Sequence, residues 1–106
     1  MIISGGMNVY PSEIEAVLYR YPGVREASVV GIPDEKWGEV PVAIIVPGPG
    51  FDQAGLDALC RDQLASYKRP RQFFLREDGL PKNPIGKVLK RELQPWVVQQ
   101  LSGQTS

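Results

Sequence analysis

Two runs of mainly β-branched and apolar residues, Val24 to Ile32 and Val40 to Val46, constrain the fold of this 106-residue chain more than any other feature. Residues of this type favour strands, and both runs are typical of buried ones. Pro41 lies near the start of the second run, where its missing N–H group can be tolerated. The segment between the runs, Pro33 to Glu39, is polar apart from Trp37 and predicts a loop. The sequence therefore predicts a sheet that contains both runs.

Pro11 to Arg20 has the spacing of an amphipathic helix. Its start is ambiguous, because Pro11 suits the first helical position, whereas Ser12 and Glu15 match a capping box. A Pro-Gly pair follows the segment and predicts the end of the helix. The predicted apolar face consists of Ile14, Val17, Leu18 and Tyr21.

The second half of the chain predicts two more helices and a third strand. Asp52 can cap a helix that runs to about Ser66. Gln72 to Leu75, with paired phenylalanines, predicts a strand. A terminal helix follows, in which Pro95 restarts or kinks the helix, and the tail from Ser102 is expected to fray. The predicted buried residues are Leu56, Leu59, Cys60 and Leu64 in the second helix and Leu89, Leu93, Trp96, Val97 and Leu101 in the third.

Met1 to Val9 predicts two short strands around the turn formed by Gly5 and Gly6. Because an apolar, strand-like run is unusual at a native N-terminus, we expect this chain to be part of a longer protein. The predicted class is α+β: a small two-layer domain with helices packed on a three-stranded sheet, plus a short N-terminal β-hairpin. Residues 1–106 are expected to form one domain.

The composition argues against several classes of function. The chain contains no histidine and one cysteine, Cys60, which shares a leucine stripe and is interpreted as a core residue. Without histidine or a cysteine cluster, the chain lacks the usual general base and the usual metal ligands, so a self-contained hydrolase or zinc enzyme is not expected and no metal site is predicted. A single cysteine allows no internal disulfide, which fits a cytoplasmic protein. No run approaches the roughly 20 apolar residues of a membrane span.

The net charge of zero hides a division along the chain. Residues 1–60 contain three basic and eight acidic residues, a balance of −5, whereas residues 61–106 contain nine basic and four acidic ones, a balance of +5. A local cationic surface attracts anionic ligands whatever the total charge. The overall pI near 6.2 argues against nucleic acid as a partner.

The basic half contains the segment from Leu80 to Arg91, in which Lys87 follows a glycine. Pro81 and Pro84 restrict the approach to this lysine, and Gly86 permits a sharp turn. An ammonium group presented in this way suits a phosphate or carboxylate oxygen. The alternative interpretation is a solvated basic loop with no ligand.

Four short blocks of sequence carry a family resemblance. They are Ser4 to Pro11 with Glu13 to Glu15, Gly31 to Glu35 with Trp37 to Glu39, Tyr67 to Pro70, and Leu80 to Lys82 with Gly86 and Lys87. Together they resemble the small C-terminal domain of the adenylate-forming superfamily, which includes acyl- and aryl-CoA synthetases, luciferases and nonribosomal peptide adenylation domains. Any one block is weakly specific, but four in this order at domain-sized spacing are highly specific. The resemblance covers Ile2 to Leu93.

The resemblance implies the C-terminal domain of an ATP-dependent carboxylic acid–CoA ligase that forms AMP. In that family a large N-terminal domain binds ATP, Mg²⁺ and the acid and makes an acyl-adenylate. The lysine matching Lys87 reaches into that site and bridges carboxylate and phosphate oxygens, after which the small domain rotates and CoA attacks. This chain alone is therefore expected to be inactive in the full reaction. This sequence does not identify the carboxylic acid substrate, because the N-terminal domain selects it. Fatty, aromatic and dicarboxylic acids all stay possible.

The resemblance also implies a face that binds CoA. The turn of Gly5 and Gly6 is similar to the segment that lines the pantetheine passage, where missing Cβ atoms let the backbone approach. Arginines suit phosphates, and aromatic rings can stack on adenine, although packing explains aromatic residues equally well. The positions that match contacts to the CoA nucleotide are Trp37, Tyr67, Arg69 and Arg71.

Two alternatives stay open: an adenylation domain that serves a carrier protein, and a non-catalytic binding module of the same fold. The cluster from Tyr67 to Arg71 favours free CoA, and the intact pair of Gly86 and Lys87 argues against a pure scaffold. Ile85 departs from the small or hydroxyl residue that relatives often have. The spacing between Pro81 and Lys87 resembles sites at which related synthetases are acetylated, a modification that removes the charge.

Overall fold

The computed structural model describes the backbone of residues 1–104 and the side chains of residues 1–102. Ser102 to Gln104, the first part of the tail that is expected to fray, are helical in this structure. The rest of that tail, Thr105 and Ser106, lies outside the described residues. The elements in chain order are β1 (Ile2–Ser4), β2 (Met7–Val9), α1 (Pro11–Leu18), β3 (Val24–Asp34), β4 (Gly38–Pro47), α2 (Gln53–Gln63), a 3₁₀ turn (Ser66–Lys68), β5 (Phe73–Leu75) and α3 (Lys90–Gln104).

β3 and β4 form a long antiparallel pair whose ladder continues to Asp34 and Gly38. The polar loop predicted for residues 33–39 is therefore reduced to a tight hairpin turn. The Asp34 carboxylate stabilises this turn by accepting hydrogen bonds from the backbone N–H groups of Lys36 at 3.0 Å and Trp37 at 2.8 Å. This local bond is the one that aspartate typically forms in turns.

The other edge of β4 pairs with two strands in succession. β1 meets β4 at Gly38, and β5 runs parallel to β4 along Ala43–Ile45. Pro41 lies between these two contacts, so its missing N–H group removes no ladder bond, and its carbonyl accepts a bond from the Arg71 N–H at 2.8 Å. The predicted hairpin and the three predicted strands thus join into one five-stranded sheet, in which β2, β1, β4 and β3 follow one another and β5 lies beside β4.

The two faces of this sheet carry separate cores. Ala43 and Ile45 of β4 belong to the core under α1 and α2, whereas Val42 and Ile44 belong to the core under α3. Because side chains alternate along a strand, a continuous apolar run needs cover on both faces. The predicted α+β class is confirmed, but helices lie on both faces of the sheet, so the structure has three layers where two were expected.

The structure shows where α1 and α2 begin and whether side chains cap them. α1 begins at Pro11 with no side-chain cap, so the capping box is not formed; the Glu15 carboxylate instead contacts β3. Asp52 caps α2 as predicted, since its Oδ2 atom accepts a bond from the Gly55 N–H at 3.2 Å. Cys60 is 1% exposed, which confirms its interpretation as a core residue.

Candidate functional site

The segment around Lys87 forms a small hairpin of its own, closed by an antiparallel bridge between its limbs. The Asn83 side chain organises the turn, because its Oδ1 atom accepts bonds from the N–H groups of Ile85 at 3.2 Å and Lys87 at 2.9 Å. Gly86 has a φ of 88°, a left-handed conformation that favours glycine and confirms the predicted sharp turn. The backbone that presents Lys87 is therefore ordered by its own hydrogen bonds.

Both limbs of this hairpin are attached to neighbouring elements by ion pairs. Lys82 pairs with Glu26 on β3, and the Nζ atom of Lys90 lies 2.9 Å from Oε2 of Glu15 on α1. The hydrogen bond from Lys82 holds the pKa of Glu26 below its ordinary value; desolvation opposes this effect, and a bond from the Leu80 N–H assists it. The hairpin is thus held at its two ends.

Lys87 is exposed, and its Nζ atom forms no ion pair or hydrogen bond within residues 1–102. It borders an open cavity of about 680 Å³ between the hairpin, α1 and β3, where Glu15, Tyr19, Lys90 and Arg91 also lie. An unpaired ammonium beside such a cavity can contact a phosphate or carboxylate of a ligand. The structure therefore leaves the charge of Lys87 free for a ligand.

A second group of predicted site residues lies where β3 meets β4. The Gly5 N–H donates a bond of 2.8 Å to the Trp37 carbonyl. Lys36 Nζ lies 5.0 Å from the centroid of the Trp37 ring, and the guanidinium carbon of Arg71 lies 5.5 Å from it. Trp37 is 37% exposed. An accessible aromatic ring with two cations suits a phosphorylated nucleotide.

The remaining predicted CoA-binding residues have different surroundings. Gly6 continues the exposed turn of Gly5 with a φ of 81°. Tyr67 is partly buried and packs against the core under α1 and α2. Arg69 donates bonds of 2.9 Å to the carbonyls of Leu64 and Arg61 at the end of α2. The structure thus brings together Gly5, Gly6, Trp37 and Arg71. Tyr67 instead packs against the core, and Arg69 bonds to the end of α2.

The Lys87 cavity and the Trp37 group are separated along β3. Ser28 borders the cavity, and Trp37 follows the end of β3 at Asp34. The six residue steps between Ser28 and Asp34 span roughly 20 Å at about 3.3 Å per residue. The two groups therefore form separate surfaces of one domain.

Three residues of these surfaces were not identified from the sequence. Asn83 precedes a proline, and an Asn-Pro pair is a known turn signal that could have predicted its role. Lys36 adjoins Trp37, but adjacency alone does not place an ammonium beside the ring. Glu15 pairs with Lys90, which is far from it in the sequence, and no local sequence pattern predicts such a long-range contact.

No helix within residues 1–104 is long and apolar enough to cross a membrane. Over the same part of the chain, no group of three or more His, Cys, Asp or Glu side chains is placed to hold a metal ion.

The sequence profile of the AMP-binding enzyme C-terminal domain family matches residues 13–87. The 2-succinylbenzoate–CoA ligase of Listeria monocytogenes serotype 4b (strain F2365) is 50% identical over 94 residues, which cover 89% of this chain and 20% of the ligase. This chain therefore spans about a fifth of the length of the curated relatives it matches.

Solved structures show the same similarity. A Mycobacterium tuberculosis fatty acyl CoA synthetase superposes with a TM-score of 0.84 at 46% identity, over 91% of this chain and 19% of that one. A double mutant of the Bacillus subtilis o-succinylbenzoate CoA synthetase, bound with its product analogue OSB-NCoA, superposes with a TM-score of 0.83 at 46% identity, over 89% of this chain and 19% of that one.

Proposed function

Because this chain belongs to the AMP-binding enzyme C-terminal domain family, we propose that it is the mobile C-terminal domain of an ATP-dependent carboxylic acid–CoA ligase. The observation that carries the proposal is the division of the site residues between two surfaces. One surface offers the unpaired ammonium of Lys87, and the other offers the Trp37 ring beside two cations. Adenylation and thioester formation use different ligands, so two surfaces of different chemistry suit them.

Lys87 is the proposed catalytic residue of the adenylation step. As the substrate carboxylate attacks the α-phosphorus of ATP and pyrophosphate leaves, negative charge grows on the phosphate oxygens. A positioned cation stabilises that charge in the transition state. Lys82 lies on the same hairpin and Lys90 is the first residue of α3, but each is already paired with a carboxylate. Lys87 is therefore the stronger candidate.

The second surface is the proposed binding face for CoA. The Trp37 ring covers Gly5, but nothing lies within 4 Å of a Cβ atom at Gly6, so a thin pantetheine arm can lie close to the backbone there. The exposed Trp37 ring can stack on adenine, and Arg71 beside it can contact phosphate oxygens.

Tyr67 and Arg69 are proposed to complete the CoA-binding face. Arg69 can take part with the guanidinium N–H groups that α2 leaves free, since arginine has five donors. Tyr67 is only partly buried by the core, so part of its side chain is accessible to a nucleotide.

The proposed partner is an N-terminal domain that binds ATP with Mg²⁺ and the carboxylic acid, and that shares the acyl-adenylate with this chain. The length of the relatives supports this, because the matched region is about a fifth of each. The product analogue OSB-NCoA bound to the Bacillus subtilis relative supports CoA as the thiol acceptor. On this proposal residues 1–106 form one domain of the ligase and do not run the full reaction alone.

The test is a chimera in which this chain replaces the matching region of the Listeria 2-succinylbenzoate–CoA ligase. ATP–pyrophosphate exchange with 2-succinylbenzoate measures adenylation, and thioester formation from presynthesised acyl-adenylate measures the second step. We expect Lys87→Ala to lower the exchange rate on the order of 10²- to 10³-fold, comparable to deleting one oxyanion donor. The thioester step should change little, because it uses the other surface.

Arg61→Ala is the control, since it removes an exposed cation that pairs with Asp57 on α2, away from the hairpin. Adenylation that survives Lys87→Ala contradicts the proposal. Loss of both steps in a folded Lys87→Ala protein contradicts the division into two surfaces. Thioester formation with a carrier-bound pantetheine but not with free CoA would favour the carrier-protein alternative.

A further inference from the structure

The hairpin that presents Lys87 is connected to the rest of the domain at both of its limbs. On the incoming limb Lys82 pairs with Glu26 of β3, and Lys90, the first residue of α3 directly after the outgoing limb, pairs with Glu15 of α1. The tip between them is free, and Ile85 there is 86% exposed. The two glutamates thus restrain the base of the hairpin and leave its tip open.

The Glu15 carboxylate is itself fixed in place by β3. Its Oε2 atom accepts a bond of 2.9 Å from the Val29 N–H and one of 3.4 Å from the Ser28 hydroxyl, in addition to the contact with Lys90. Ser28 is buried, at 1% exposure. The Glu15 carboxylate is fixed by two sheet groups and has already lost its rotamer freedom. It can therefore restrain Lys90 more strongly than a freely rotating carboxylate could.

Glu26 of β3 contacts the incoming limb of the hairpin with both of its carboxylate oxygens. Its Oε1 atom pairs with Lys82, and its Oε2 atom accepts a bond of 3.4 Å from the Leu80 N–H, just before the hairpin. The side chains of Glu15 and Glu26 are 22% and 20% exposed. The Glu13–Lys68 pair has similar exposure, at 46% and 23% for its two side chains, but it connects α1 to the 3₁₀ turn and does not involve the hairpin.

We propose that Glu15 and Glu26 are positioning residues that hold the Lys87 hairpin in one orientation on β3, so that the ammonium is delivered to its ligand by motion of the whole domain. This inference rests on the proposed catalytic role of Lys87. Catalysis is sensitive to such placement, since a misplacement of about 1 Å can lower a rate on the order of 10²-fold.

The first test measures the hairpin directly, by NMR hydrogen exchange on the 106-residue chain. The Leu89 N–H donates a bond of 2.8 Å to the Pro81 carbonyl across the base of the hairpin, and the Leu64 N–H at the end of α2 serves as an internal reference. We expect Glu15→Gln and Glu26→Gln to raise the exchange rate of Leu89 about 10-fold relative to Leu64, as local opening becomes easier.

Glu13→Gln is the matched control for this experiment, because it removes the same charge from α1 at a position that does not contact the hairpin. Lys90→Gln tests the same ion pair while leaving the bonds from Val29 and Ser28 to Glu15 intact, so the test survives a Glu15 variant that fails to fold. Exchange at Leu89 that stays at the Glu13→Gln level in all three hairpin variants overturns the positioning role.

The second test measures catalysis in the chimeric ligase. We expect Glu15→Gln and Lys90→Gln to lower kcat for ATP–pyrophosphate exchange about 10- to 100-fold, with KM for ATP and the thioester step unchanged. Unchanged kcat in variants that loosen the hairpin overturns the inference. Adenylation that survives Lys87→Ala overturns the proposed function itself, so the two failures are distinguishable.

Discussion

The backbone of Gly5 and the ring of Trp37 are in direct contact. The Gly5 N–H donates a bond of 2.8 Å to the Trp37 carbonyl, and a Cβ atom at Gly5 would lie only 2.6 Å from Cε3 of the ring. Gly5 also has a φ of 56°. Two independent constraints, the conformation and the approach of the ring, therefore require glycine at this position.

We predict that Gly5→Ala destabilises the domain by more than Gly6→Ala does. Both positions have positive φ, so alanine costs about 1 kcal/mol of conformational strain at each. Only at Gly5 must the Trp37 ring also move, because nothing lies within 4 Å of a Cβ atom at Gly6. Urea unfolding of both variants gives the difference, and Trp fluorescence should report displacement of the ring in Gly5→Ala alone. Equal destabilisation would contradict the contact.

Trp37→Ala and Arg71→Ala are each predicted to raise KM for CoA on the order of 10-fold in the chimeric ligase, the size expected when a charged hydrogen bond or stacking contact is lost. The adenylation step should be unaffected, because Lys87 acts on the other surface. Steady-state kinetics with CoA as the varied substrate measure the effect. Arg25→Ala is a control that removes an exposed cation near the opposite end of β3. An unchanged KM in both variants would exclude this surface as the CoA site.

Arg69 and Arg71 are two residues apart, yet we predict that only Arg69→Ala lowers the stability of the fold appreciably. Arg69→Ala removes two charged hydrogen bonds to the last carbonyls of α2, so it should lower the free energy of unfolding by about 1–2 kcal/mol. Arg71→Ala should stay within about 0.5 kcal/mol of the parent chain, as surface substitutions usually do. Chemical unfolding of both variants measures the two free energies. Equal stability would show that the cap on α2 is dispensable.

The sequence predicted the parts of this fold that depend on local pattern. The apolar face around Ile14, the cap at Asp52 and the glycine turns at Gly5 and Gly86 follow from spacing and from allowed backbone angles. The runs that form β3 and β4 also follow from composition. These features are decided within a few residues of the chain, which is why they could be read before the structure was known.

The remaining features depend on contacts between distant residues. The apolar runs of β3 and β4 allow helices on both faces of the sheet, but they do not say which helix lies on which face, so the position of α3 was not predicted. Glu15 fits a capping box by its spacing, yet its carboxylate bonds to Val29 and Lys90 instead. Arg69 matched a phosphate-contacting position, and only the structure shows its bonds to α2.

Acid is predicted to loosen the Lys87 hairpin through Glu26. The bond from Lys82 lowers the pKa of Glu26 from its ordinary value of 4.5, with the Leu80 N–H and the nearby charge of Arg25 assisting. A carboxylate whose native pKa is lowered stabilises the fold above its unfolded pKa, and this contribution is lost as the pH falls through the native value. The anchor should therefore be intact at neutral pH and weaken below about pH 4.5.

NMR titration of the Leu80 and Leu89 amides between neutral and acidic pH measures this loss. Glu26→Gln is the control, since it has no carboxylate to protonate and should remove that part of the pH dependence. An acid transition of the same size in the Glu26→Gln variant would assign the effect to another group.

The Cys60 thiol is predicted to resist modification as long as the domain is folded. Burial raises its pKa to about 11, with Asp57 adding to the shift and Arg69 opposing it. Because the thiolate is the nucleophile, only roughly one thiol in a thousand would be reactive at pH 8. A disulfide exchange reagent should therefore react slowly with the native chain and rapidly in urea. Ile85→Cys places a second thiol at an 86% exposed position and should react at once, and equally rapid reaction of native Cys60 would contradict its position in the core.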